Sequence, residues 1–341
     1  MTFIEENIFI EQSAVGKIVN AFLQTSCLLT EASPKDISIS TLKGGKSSST
    51  LYKIDTGKIS YVLRCPAPTT SNPNRWLQAS LAKQAGVLGV GPKIHFVDSE
   101  EYAIIMEYVS GRTASPLDFE NKSFLINFSL LLQKLHDSQL EFPLATCPFY
   151  RFQRFLIKCD QNKVYCDANF SDVKFIMDEI ATILQLHPIS LAPCHLDLNL
   201  SNIIFTNEKF LLVDWVNGGM SDPYFDLATF SIFAGLNESQ TKDFLAYYLK
   251  HVPTQLEWAR FVIIRPVRLF VIAASCFSAS STERTLNTEN ILEFSDFIHK
   301  NRDDLDVNQI GLAVFKKGLD LIQESFFRNS LNYLKNSANH P

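Results

Sequence analysis

The sequence predicts an α+β fold of two lobes, an N-terminal lobe with an antiparallel sheet plus helices and a larger, mostly helical C-terminal lobe. Three observations predict it. Short apolar runs bounded by turn residues crowd into residues 37–107. Helical spacing dominates the remainder. The length of 341 residues suits two domains or one large two-lobed one. The division is expected between 1–107 and 108–341. Apolar residues make up 46% and charged residues 20%, so the chain can bury a sizeable core and is not disordered.

The elements follow in order. Residues 8–30 place Ile8, Ala14, Ile18, Ala21, Phe22 and Leu28 at helical spacing. Ile37-Ser38-Ile39-Ser40 alternates, Leu51-Tyr52-Lys53-Ile54 follows a Gly-Gly turn, and Tyr61-Val62-Leu63-Arg64 ends a short apolar run. Asp55-Thr56-Gly57-Lys58 is a hairpin turn between the last two, so three antiparallel strands are expected. Residues 66–73 read as a loop, and a helix runs from about Arg75 to Val87. Lys93–Val97 and Tyr102–Glu107 read as two further strands. Phe124–His136 and Phe175–Leu186 are amphipathic helices. Asn202–Phe205 and Phe210–Val213 form a hairpin turned at Thr206-Asn207-Glu208-Lys209. Phe261–Ala279 is the most apolar stretch, yet it holds Arg265, Pro266 and Arg268 and reads as a buried helix rather than a membrane span.

Composition narrows the function. The net charge of −5 argues against a general nucleic-acid binder, whose footprint is usually basic. The seven cysteines are odd in number and form no C-x-x-C pair, which disfavours a disulfide framework or structural zinc and favours a reducing cytoplasm. The acidic start, Met1-Thr2-Phe3-Ile4-Glu5-Glu6, lacks the layout of a signal peptide. Neither nucleic acid nor membrane is therefore expected as a partner.

His195-Leu196-Asp197-Leu198-Asn199-Leu200-Ser201-Asn202 carries the strongest chemical signal, the spacing H-x-D-x-x-x-x-N. An aspartate at Asp197 can accept the proton of an incoming hydroxyl during phosphoryl transfer, and Asn202 can offer a neutral oxygen to a metal ion. His195 completes the catalytic loop as a packing and hydrogen-bonding prop. Three fixed positions also arise by chance, and a lone Asp beside a lone His is more often structural. Asp214-Trp215, after the hairpin, weighs against chance: it stands where a second acid would hold magnesium. In Asp222-Pro223-Tyr224-Phe225-Asp226, Asp222 reads as a helix N-cap with Pro223 as first helical residue, and Asp226 as a structural anchor for the loop.

On these residues the segment Cys194–Phe230 resembles the aminoglycoside phosphotransferase and choline kinase superfamily, and Asp214–Ala228 is closest to bacterial choline kinase-like proteins. The resemblance implies a protein-kinase-like fold whose N-terminal lobe binds nucleotide. It implies ATP and Mg2+ as cofactors and phosphate transfer to a hydroxyl of a small molecule. Choline or a related amino alcohol is the first acceptor, with aminoglycosides, thiamine and sugars behind it. It implies Asp197 as catalytic base and Asn202 and Asp214 as metal ligands. Leu42–Tyr52 is similar to the family's phosphate-covering turn, which assigns Gly45, Ser47, Ser48 and Ser49 to the phosphates. Arg64 occupies the place of the strand cation facing the α- and β-phosphates. Gln78 stands where the family has a glutamate, so it can hydrogen-bond Arg64 without forming an ion pair. Met106, Glu107 and Tyr108 fit the hinge whose backbone meets the adenine edge. Gly89–Ile94 and Leu131–His136 fit the turn after the first-lobe helix and the helix before the catalytic region, with His136 structural.

The resemblance spans about residues 37–235. A protein kinase is disfavoured: Leu196 replaces the arginine of H-R-D, Asp214-Trp215-Val216 replaces D-F-G, and no A-P-E follows. Gln78 keeps open a nucleotide-binding scaffold without catalysis. For the acceptor, Tyr224, Phe225, Tyr247, Tyr248, Trp258, Phe261 and Phe270 are candidate aromatic faces for a quaternary ammonium, although 27 phenylalanines make core packing the commoner role. Arg260, Arg265 and Arg268 suit an anionic or polyhydroxylated acceptor as well as they suit salt bridges. Asp222, Glu238, Asp243 and Glu257 are the acids available to a cationic one. The acceptor, the choice of ATP over GTP and the oligomeric state stay open at this level.

Overall fold

A computed structural model describes residues 13–25, 37–42, 49–100, 102–166, 170–206, 209–279, 284–286, 291–300 and 305–338. The chain divides into two compact units, Met1–Arg112 with Leu211–Val216, and Thr113–Phe210 with Asn217–Pro341. Residues 211–216 thus join the first unit, although a simple division near 107 places them in the second.

The first unit holds helix α1 (Ala14–Thr25), strands β1 (Ser38–Leu42), β2 (Thr50–Asp55) and β3 (Ser60–Cys65), helix α2 (Asn72–Leu88), and strands β4 (Ile94–Val97) and β5 (Ile104–Glu107). The strands form an antiparallel sheet in the order β1-β2-β3-β5-β4. The β2–β3 hairpin is tight because Gly57 adopts a left-handed φ of 78° and its N–H donates to Asp55 Oδ1 at 2.9 Å. Ile18, Val19, Phe22 and Leu23 of α1 cluster with Ile54, Tyr61, Leu63 and Ile105 of the sheet, which is why the helical spacing in that segment is apolar.

Boundaries shift where side chains close turns. Helix α2 starts at Asn72, inside the stretch expected as loop, because Pro73 lies in its first turn and has no N–H to lose. Buried Arg75 folds back onto the loop carbonyls of Thr70, Ala67 and Pro68 at 2.9–3.2 Å. Strand β5 begins two residues later than the alternation suggests, since Tyr102 turns left-handed with φ 53°. In the 211–216 segment the Leu212 N–H donates to Val90 O at 2.8 Å. A Cβ on Gly91 would lie 3.0 Å from Leu212 O, so this approach needs glycine.

The chain passes between the units within β6 (Arg112–Thr113), within β10 (Phe210–Leu212) and again after Val216. The second unit adds helices α3 (Lys122–His136), α4 (Pro148–Gln161) and α5 (Phe170–Leu186), and strands β7 (Val164–Cys166), β8 (Ala192–Cys194), β9 (Ile203–Phe205) and β11 (Gly219–Ser221). Helices α6 (Tyr224–Phe233), α7 (Glu238–Leu249), α8 (Gln255–Ser278), α9 (Phe294–His299), α10 (Val307–Gln323) and α11 (Ser325–Ser337) follow, with β12 (Arg284–Leu286) between α8 and α9. The turn after β9 is closed by Lys209 O accepting from the Thr206 N–H at 2.9 Å; Asn207 and Glu208 lie outside the described residues.

Phenylalanine fills this unit's core. Phe128 stacks on Phe230 at 4.1 Å, and Phe119 meets Phe230 edge-on at 4.7 Å. Helix α8 packs against α4, α6, α10 and α11. Among the described residues it is the one helix long and apolar enough to cross a membrane, and most of it is buried inside this unit. Helix α10 approaches it closely because Gly311 and Gly318 present no Cβ; one at either would sit 2.6 Å from the ring of Phe277 or Phe270.

Candidate active site

The loop after β8 is held from beneath. The His195 N–H donates to Asp226 Oδ2 at 2.7 Å and the Leu196 N–H donates to Asp226 Oδ1 at 2.6 Å. Leu196 adopts a left-handed φ of 61°, a conformation costly for a branched residue. Asp226 offsets that cost, and so does Arg268, whose Nη2 donates to Leu196 O at 2.6 Å. Burial would raise the Asp226 carboxyl, but the hydrogen bond and electrostatic attraction of His136, with the electrostatic attraction of His195 and its N–H, outweigh it and hold it below the usual range. His136 Nε2 lies 3.1 Å from Asp226 Oδ2, and its Nδ1 lies 2.9 Å from the Tyr248 hydroxyl. Burial pushes the Tyr248 hydroxyl well above its ordinary value. Burial also lowers Arg268 to about 10, and its remaining bond goes to Thr229 Oγ1.

Asp197 stands above this support, half-buried. Asn199 Nδ2 donates to its Oδ1 at 3.0 Å and Asn217 Nδ2 to its Oδ2 at 3.5 Å. Asn202 Nδ2 donates to the Asp197 carbonyl at 2.9 Å. The Asp197 N–H donates to His195 Nδ1 at 3.2 Å, so His195 is a buried strut of the loop. Asn217 Oδ1 accepts from Arg151 Nη2 of α4 at 2.8 Å. A carboxylate fixed by two amides and still partly open can orient a hydroxyl and take its proton.

In the first unit Arg64 bridges two partners. Its Nη1 donates to Gln78 Oε1 at 3.1 Å and its Nη2 to Asp214 Oδ1 at 3.2 Å. The ion pair that Gln78 cannot supply therefore comes from Asp214, which sits at φ 64°. Met106 and Glu107 lie in β5 opposite Val62 and Tyr61 of β3. The Glu107 N–H donates to Lys93 O at 2.9 Å and the Tyr108 N–H to Ser60 O at 3.2 Å, so these two backbone donors are already engaged. Ser49 directly precedes β2, whereas Gly45, Ser47 and Ser48 lie outside the described residues.

The acceptor candidates mostly resolve into core. Tyr224, Phe225, Tyr248, Phe261 and Phe270 are buried. Half-exposed Trp258 stacks on Phe261 at 5.8 Å and carries Lys242 Nζ 5.4 Å above its ring; Tyr247 carries Lys122 Nζ at 5.8 Å. Asp222 stands one residue ahead of its expected cap position: α6 starts at Tyr224, whose N–H donates to Asp222 Oδ1 at 2.9 Å. Its Oδ2 accepts from Arg260 Nε and Nη2 at 2.9 and 2.5 Å, which makes Asp222 an ion-pair partner as well as a cap. Arg260 and Arg268 are thus spent within the unit. His136, Cys194 and Asp226 bring possible metal-ligand atoms within 4.8 Å of one another. Each is already hydrogen-bonded, Cys194 to Ser221 O, so the cluster reads as support for the loop.

Sequence reasoning did not single out Asn199, Asn217 or Arg151. The two asparagines had a signal, since each is polar within a motif already noted. Arg151 had none, because only the packing of α4 brings it to Asn217.

The model of the phosphotransferase enzyme family (APH) matches residues 38–261. The chain belongs to this family. The match runs past residue 235 into α8, where the sequence reading finds helical character alone. Protein LicA of Haemophilus influenzae is 26% identical over 216 residues, 61% of this chain and 61% of that protein. The chain therefore spans about three-fifths of that relative's length. A choline/ethanolamine kinase family protein from Mesorhizobium loti superposes with a TM-score of 0.70 at 21% identity, covering 92% of this chain and 99% of the other. Choline kinase LicA from Streptococcus pneumoniae gives 0.64 at 18% identity, covering 88% and 98%. This phosphotransferase family member has the protein-kinase-like fold of these neighbours, an antiparallel sheet followed by a mostly helical remainder.

Proposed function

We propose that the chain transfers the γ-phosphate of ATP to a hydroxyl of a small molecule, with choline or a related amino alcohol as the first acceptor to test. The observation that carries this reading is the carboxylate of Asp197, fixed by Asn199 and Asn217 above a loop that Asp226 and Arg268 hold in a strained conformation. In the reaction the acceptor oxygen bonds to the γ-phosphorus as the bond from that phosphorus to the β–γ bridging oxygen breaks. ADP leaves, and the hydroxyl proton passes to Asp197.

Mg2+ is assigned to Asn202 and Asp214. Both offer oxygen, the donor type a hard cation prefers. Asn202 fits: its Nδ2 is committed to the Asp197 carbonyl, and its Oδ1 accepts no hydrogen bond among the described residues. When bound, the metal would neutralise charge on the phosphates. Arg64 would face the α- and β-phosphates, Gly45, Ser47, Ser48 and Ser49 would cover them, and Met106–Tyr108 would lie along the base. The names borne by the neighbours support choline as first acceptor, and ATP dependence is part of the proposal.

The test is ADP release with Mg2+ and ATP against choline, ethanolamine, thiamine, aminoglycosides and simple sugars. Asp197→Asn should lose about 10²–10⁴-fold in kcat while ATP still binds. Equal rates in wild type and variant, or phosphate incorporated only into polypeptide, would refute the reading.

A further inference from the structure

Around Asp197 the charges are distributed in a way that bears on the acceptor. Arg151 of α4 is half-buried, and one of its N–H groups is bonded, to Asn217. Its Nε and Nη1 have no hydrogen-bond partner among the described residues. It lies in the first turn of α4, a turn that contains no acid and whose N-cap, Cys147, accepts no side-chain cap bond. The helix N-terminus therefore adds positive potential to that of the guanidinium. The Phe155 ring centre lies 5.9 Å from the guanidinium carbon.

Three of the four acids named for a cationic acceptor are committed elsewhere, and the fourth, Asp243, is exposed on α7. Asp222 is paired with Arg260, Glu238 with Lys242, and Glu257 caps Thr254. The candidate aromatic faces are buried or already carry lysine ammonium groups. The other cation near Asp197, Arg268, donates below the loop through its Nε to Thr229 Oγ1 and its Nη2 to Leu196 O. Arg151 is thus the guanidinium with donors to spare on the side of Asp197 that Asn217 marks.

We propose that Arg151 is a specificity-determining residue of the acceptor site and that it receives an anionic oxygen group, carboxylate or phosphate, carried by the same molecule whose hydroxyl meets Asp197. This rests on the phosphotransferase reading and revises only its first acceptor: the preferred one is an alcohol, or an amino alcohol, with an anionic arm, and choline itself is a poor one. Asn217 links the two groups, donating to Asp197 Oδ2 at 3.5 Å and accepting from Arg151 Nη2 at 2.8 Å, so an acceptor whose hydroxyl meets Asp197 lies near the guanidinium. A half-desolvated guanidinium with unused N–H groups gains most from an oxyanion that accepts two of them, whereas it repels a quaternary ammonium.

The experiment compares three arms of acceptors with the full chain: D-glycerate and L-serine for carboxylate, sn-glycerol 3-phosphate for phosphate, and choline, ethanolamine and glycerol for none. ADP release gives kcat and KM, and calorimetric titration in the presence of Mg2+ and ADP gives binding without turnover. The expected result is an anionic arm at least tenfold above choline in kcat/KM. Arg151→Met should raise KM for that arm about tenfold to a hundredfold, with Arg151→Lys in between. The arm that responds tells carboxylate from phosphate. Should Arg151→Met fail to fold by thermal melting, the wild-type ranking and Arg151→Lys still decide. Choline turned over best, with KM unchanged in Arg151→Met, would overturn this inference and leave the phosphotransferase reading standing. Arg151-dependent binding of an anionic probe without turnover would sustain it while the phosphotransferase reading falls. No binding by either anionic arm would overturn it.

Discussion

At the scale of single residues, the site depends on amides and carboxylates whose hydrogen bonds are counted out one by one. Asn199 and Asn217 each hold one oxygen of Asp197. Replacing either with Ala should lower kcat about tenfold and leave KM for ATP within a factor of two, as steady-state kinetics would show. Asp226 makes a different prediction. Its carboxyl is held below the ordinary value, so its contribution to stability is fully present above about pH 3.9, the unfolded value, and is lost as pH falls through the lower folded value. Asp226→Ala should cost about 3–5 kcal/mol at pH 7, and its denaturation midpoint should change less than that of wild type below pH 4. A variant curve parallel to wild type in that range would show that Asp226 is not the responsible group.

At the scale of elements, close packing is set by what is missing from glycines. Gly318 of α10 faces the Phe270 ring of α8, and an added Cβ would come within 2.6 Å. Gly318→Ala should destabilise by about 1–3 kcal/mol through overpacking. Phe270→Leu on its own opens a cavity and should cost a similar amount. Together the two should cost less than their sum, because the methyl occupies part of the space the ring leaves. Urea unfolding of the four proteins measures that coupling, and strict additivity would mean that the two helices move apart instead. The same logic acts on β11, where a Cβ on Gly219 would meet the Ala145 backbone at 2.9 Å.

At the scale of the whole molecule, ligand linkage gives a prediction that needs no acceptor. A ligand bound only by the folded chain raises its stability by mass action, about 2.7 kcal/mol at a hundred times its dissociation constant. ADP with Mg2+ should therefore raise the melting temperature, and chelating the metal should remove part of the rise. In Asn202→Ala the chelator-sensitive part should shrink while the part due to ADP alone remains. An unchanged chelator effect in that variant would move the metal away from Asn202.

The sequence by itself determined the sheet, the helical remainder and the linear motifs. Strand alternation, the Gly57 turn and the spacing of His195, Asp197 and Asn202 are local, so each is written in consecutive residues. Element ends were less legible, as Pro73 and Tyr102 show, because they depend on a neighbouring side chain or one left-handed residue. Only the tertiary structure decided who pairs with whom. Arg64 finds Asp214, Arg260 finds Asp222, and Arg151 finds Asn217 across long stretches of chain. The aromatics proposed for an acceptor turned out largely to be core, since burial in so Phe-rich a chain follows from three-dimensional packing. Charge that looks available in a sequence is available only if the fold leaves it unpaired. That is why Arg268, conspicuous in the apolar helix, is consumed beneath the loop, and Arg151, inconspicuous in its own, stands beside the base.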